Sequence, residues 1–81
     1  MARATDGHGI RTNLAMEMSV RKLTVRGLSE ATGVHTSAIS KLRAGHFQMI
    51  DCQNLAKLCR HLQVDIGDML FLDPPLTEEE T

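Results

Sequence analysis

The 81-residue chain has no tryptophan and no tyrosine, and only two phenylalanines, Phe47 and Phe71. It also lacks any stretch in which apolar and polar residues alternate, which is the pattern of a half-buried strand. Leu, Ala and Met dominate instead, so an all-α, compact bundle of about five short helices is the expected fold class. No apolar run approaches the ~18 residues of a membrane span, and no signal-like segment precedes the first amphipathic stretch, so we expect a cytoplasmic protein. Both prolines sit together at Pro74-Pro75, where they are expected to stop the last helix.

Cys52 and Cys59 are the only cysteines. Seven positions on one helix separate them by about 10 Å at 1.5 Å per residue, too far for a disulfide within the chain. Both are expected to be reduced thiols facing the core. The histidines His8, His35, His46 and His61 form no H-x-x-x-H with one another and no C-x-x-C accompanies them, so no metal site is expected. There is no glycine-rich phosphate loop, no nucleophile elbow and no acid pair on a shared scaffold. We therefore expect neither an enzyme nor a cofactor. A chain of this length makes one domain with a small core.

What is present is a charge gradient. The net charge of −1 conceals seven cations against three acids in residues 1–45, a balance of +4. Residues 46–81 hold two cations against seven acids, a balance of −5. An electropositive half attracts phosphates while the acidic half is held away from them.

Residues 1–9 read as a flexible N-terminal arm whose one contact is Arg3, and residues 73–81, with Glu78, Glu79 and Glu80 in a row, as an acidic disordered tail. Between them, residues 10–72 form the folded domain. Ile10, Leu14 and Met18, four apart, predict a first helix from Ile10 to Arg21, with Met16 and Val20 on another side. Thr24 is placed to cap a second helix over Val25 to Thr32. Gly33 follows where the chain must reverse, and Val34 fills the angle. A third helix over Thr36 to Ala44 buries Ile39 and Leu42 and ends at Gly45. Phe47, Met49 and Ile50 are expected to fold back over the core. Asp51 caps a fourth helix whose Cys52, Leu55, Leu58, Cys59 and Leu62 face inward, and Asp65 caps a last one through Ile66, Met69 and Leu70.

Two short helices joined by a tight glycine turn, the second rich in hydrogen-bonding side chains and closed by cations, make a helix-turn-helix and point to DNA. The stretch resembles the lambda repressor-like, Cro-type (Xre-class) helix-turn-helix family over roughly residues 10 to 72. Leu23-Thr24, Leu28, Thr32-Gly33-Val34, Ile39-Ser40-Lys41 and Gly45 match its pattern in one register, and Leu55, Leu58, Leu62, Val64 and Gly67-Asp68-Met69-Leu70 match downstream. Val25 stands where the family often has a phosphate-binding Gln, Ser29 where it has a small Ala, and His35 where it has a Ser cap.

The resemblance implies that the third helix enters the major groove, with Thr36, Ser37 and Lys41 reading bases and Ser40 flanking them. Thr36 and Ser37 hydroxyls donate or accept, whereas Lys41 only donates and favours the O6 and N7 of guanine. Phosphate contacts are expected from Thr24, Arg26 and Arg43, with Arg21 and Lys22 as additions. One such motif reads only a few base pairs, so a homodimer on a short palindromic operator is expected. Its interface is placed at Met69, Phe71 and Leu72, with the Met16/Val20 side as the alternative. The resulting expectation is a sequence-specific transcriptional regulator of the repressor kind, in a prokaryotic or phage setting, whose partner is double-stranded DNA. The alternative is a protein-interaction or antitoxin-type module that keeps the fold and binds DNA weakly. No small-molecule ligand is evident.

Overall fold

The structure, a computed structural model, describes residues 9–76; the expected arm up to residue 8, with Arg3, and most of the acidic tail lie outside the described residues. Five helices are framed by two short strands: β1 (Ile10–Thr12), α1 (Leu14–Val20), α2 (Val25–Thr32), α3 (Thr36–Ala44), α4 (Cys52–Leu62), α5 (Ile66–Met69) and β2 (Leu70–Leu72).

Side-chain caps fix where four of the helices begin. Thr24 Oγ1 accepts from the Gly27 N–H at 3.0 Å, and Asp51 Oδ1 accepts from Gln53 and Asn54 at 2.9 and 3.1 Å. Asp65 Oδ1 accepts from Ile66 at 2.8 Å, and the His35 ring caps α3. Each satisfies an N–H that has no partner inside its helix. The C-terminal ends of α1 to α4 use left-handed residues, while α5 runs straight into extended backbone at Leu70. Gly33 (φ 80°) and Gly45 (φ 82°) adopt that backbone at little cost, while Lys22 (φ 55°) and Gln63 (φ 58°) adopt it with a Cβ. At Lys22, Gly45 and Gln63 the next residue's N–H reaches back to the carbonyl five positions earlier: Leu23 to Met18 (2.8 Å), His46 to Lys41 (2.9 Å) and Val64 to Cys59 (3.0 Å). These are Schellman closures, and they turn each helix sharply into the next.

The core is Leu14 and Met18 of α1, Leu28 of α2, Val34 at the turn, Ile39 and Leu42 of α3, Leu55, Leu58, Cys59 and Leu62 of α4, and Met69 of α5. Burial of each large aliphatic contributes about 1.5–3 kcal/mol, so this set holds α2 and α3 at a defined angle.

The first helix is shorter than its periodicity predicts. Ile10–Thr12 pairs antiparallel with Leu70–Leu72, Arg11 opposite Phe71, and helix begins only at Leu14. Gly9 at φ 87° turns the chain out of helical geometry, and the Asn13 N–H donates to the Met69 carbonyl at 2.8 Å. Thr12 Oγ1 donates to the Leu42 carbonyl at 2.7 Å, fastening the strand to the end of α3. The last helix likewise stops at Met69, well before Pro74-Pro75, because Leu70 enters the strand. Three other expectations are corrected. Cys52 is exposed, as are its neighbours Asp51 and Gln53, because none of the described elements covers the first turn of α4. Met49 is 89% exposed, although Phe47 and Ile50 do pack on the core. Met69 is buried at 1% exposure and so offers no surface to a second copy.

Candidate nucleic-acid interface

Ile39 and Leu42 pull one side of α3 into the core, and that leaves Thr36, Ser37, Ser40, Lys41 and Arg43 on its exposed sides. The helix is open to solvent along its length on this face. Lys41 and Arg43 lie in its last turn, where the C-terminal end of the helix dipole favours cations.

Its first turn is organised by His35. The ring Nδ1 accepts from the Ser37 N–H at 3.1 Å and lies 2.9 Å from Ser37 Oγ. The imidazole thus performs the capping role that a serine has elsewhere in such motifs. In the sequence His35 is only a departure from the pattern; its spacing of two from Ser37, where a cap meets the second N–H of a helix, is the signal for this role.

The expected phosphate contacts separate into two groups. Thr24 Oγ1 accepts from Gly27 and keeps its own proton to donate. Arg26 is almost fully exposed, its 3.8 Å pair with Glu30 being a surface contact of little strength. Arg43 and Lys22 are exposed too. Arg21 is different. Its Nη2 donates to the Leu62 carbonyl at 2.8 Å and its Nη1 pairs with Glu17, so it neutralises the C-terminal end of α4 and ties that helix to α1. The structure therefore removes Arg21 from the free cations. Val25, in the position of the missing glutamine, packs partly against the core.

A left-handed glycine at the turn, a capped second helix and an exposed polar face are combined in one two-helix unit, and comparison with known proteins decides its family. The model of the Cro/C1-type HTH DNA-binding domain matches residues 13–75. The chain belongs to that family. The Cro/C1-type domain also resembles a crystal structure of a candidate DNA-binding protein from Bacteroides fragilis, with a TM-score of 0.62 and 21% identity over 75% of this chain and 97% of the other. At that identity the likeness establishes the fold. No curated protein matches.

Beside α3 the Cro/C1-type domain has a groove of about 200 Å³ lined by Ser37 and Lys41 on one side and by Met49, Asp51 and Asn54 on the other. The loop before α4 thus adjoins the exposed face of α3, a neighbourhood not visible in sequence. Among the described residues no three His, Cys, Asp or Glu gather as a metal site, and no helix is long and apolar enough to cross a membrane. Burial pushes the Cys59 thiol up from its ordinary range, and the Asp65 carboxylate adds to the effect. Away from α3, Arg11 stacks over the Phe71 ring at 5.4 Å, and Ile10, Leu70, Phe71 and Leu72 line an apolar hollow on the sheet. Met16 and Val20 are exposed on α1.

Proposed function

We propose that this Cro/C1-type domain is a sequence-specific transcriptional regulator, a repressor that reads a short palindromic operator as a homodimer. α3 enters the major groove, Lys41 donates to guanine, and Thr36, Ser37 and Ser40 make the remaining base contacts. Thr24, Arg26, Arg43 and Lys22 hold phosphates on either side. The observation that carries the reading is the exposed, capped α3, with five polar side chains in one stretch above a buried Ile39 and Leu42.

Two copies are proposed to meet through Phe71 and Leu72, joined by Ile10 across the sheet, which leaves α3 of each copy free for half-sites about 34 Å apart. Selection of binding sites from random duplexes tests the whole reading: a two-fold symmetric consensus is expected. A protein-interaction module with weak DNA binding is the competing reading, favoured by the exposed Met16 and Val20. Failure to enrich any sequence at low salt would reject the first reading.

A further inference from the structure

We infer that His35 decides which bases Ser37 recognises, by fixing the direction of its hydroxyl proton. The inference rests on α3 as the reading element. A serine hydroxyl ordinarily donates or accepts and so discriminates little between bases. Here its freedom is removed. The Ser37 backbone N–H can only donate, and it is aimed at His35 Nδ1 at 3.1 Å, so Nδ1 carries a lone pair and no proton. Ser37 Oγ lies 2.9 Å from the same nitrogen. Two lone pairs facing each other at that distance repel, so the hydroxyl proton points at Nδ1, whose one lone pair is shared between the N–H and the O–H. What Ser37 presents to the outside is then acceptor only.

Major-groove edges carry amino donors on adenine (N6) and cytosine (N4), and only acceptors at the O6 and N7 of guanine and the O4 of thymine. An acceptor-only Ser37 takes adenine or cytosine at its contact and rejects guanine and thymine. To accept the latter pair, the hydroxyl must swing away from His35 and give up a hydrogen bond, which corresponds to about a threefold to tenfold loss of affinity per half-site. His35 is a positioning residue in this scheme. A cap that merely starts the helix would leave base preference untouched.

The experiment selects and measures duplex sites for the wild type and for His35→Gly, His35→Asn and Ser37→Ala at one salt concentration. Glycine is tolerated at a helix N-cap but offers no acceptor, while asparagine offers a carbonyl oxygen in the same place. One base pair in each half-site is expected to show an adenine-or-cytosine preference in the wild type. His35→Gly and Ser37→Ala should both erase it, at that pair alone, and His35→Asn should retain it. A His35→Gly profile that superimposes on the wild type overturns the inference while leaving the function standing. Should His35→Gly fail to fold, a Ser37→Ala protein with unchanged preferences overturns it equally. A wild type with no sequence preference overturns the function, and the inference falls with it.

Discussion

Replacing Arg43 by Ala should flatten the salt dependence of DNA binding, and replacing Arg21 by Ala should not. Lys22, Arg26 and Arg43 are exposed cations, whereas Arg21 is engaged with the Leu62 carbonyl and Glu17. If the proposed dimer grips phosphates through these three cations in each copy, log K against log[salt] should have a slope of about −5, since each neutralised phosphate contributes about −0.9. Between about 50 and 200 mM salt that slope lowers affinity on the order of a thousandfold. Arg43→Ala removes one contact per copy and reduces the slope by about 2 across the dimer, for all sequences alike. Arg21→Ala acts on the fold instead. Its charge-assisted bond to Leu62, discounted because the side chain is about a third exposed, contributes about 1 kcal/mol, which lowers the melting midpoint by roughly 4–8 °C. Fluorescence anisotropy of a labelled duplex across a salt series gives the slopes, and circular dichroism gives the midpoints. An Arg21→Ala protein that melts like the wild type but loses as much slope as Arg43→Ala would refute the division into gripping and fold-holding cations.

Lys41→Ala should weaken the selected operator by about 1–3 kcal/mol and random DNA much less, a difference read by competition binding. Gly33→Ala places a Cβ in open space but at φ 80°, so the backbone alone is penalised, by about 1–2 kcal/mol, and thermal melts should show it without aggregation or cavity effects. Leu72→Glu should leave the domain folded, since this side chain is 49% exposed, while sedimentation shows a monomer and operator affinity falls; an undiminished dimer would shift the interface to Met16 and Val20. A thiol reagent at neutral pH should label one cysteine promptly, Cys52, and reach Cys59 only on unfolding, because burial both shields that thiol and raises its pKa. Simultaneous labelling of both in the native protein would contradict the placement of Cys59 in the core.

Local chemistry made much of this molecule legible in advance. Thr24, Asp51 and Asp65 as caps, Gly33 and Gly45 as left-handed stops, and the Ile39/Leu42 stripe all act within a few residues of where they stand. The same short range fixes which α3 side chains are outward, because burying two positions of a helix determines the direction of the rest. Features with distant partners were not legible. Ile10–Thr12 repeats with Leu14 and Met18 at helical spacing, and only Leu70–Leu72, some sixty positions away, draws it into a strand. Arg21 resembles any surface cation until the end of α4 lies beside it, and Cys52 and Met49 are apolar in pattern yet none of the other described segments covers them. The two-helix unit was therefore determined by the sequence itself, through hydrogen bonds and periodicity inside single helices. That Arg21 is held by the end of α4 and that Ile10–Thr12 joins Leu70–Leu72 were decided by tertiary structure, since each depends on where the folded backbone brings a distant donor and acceptor together.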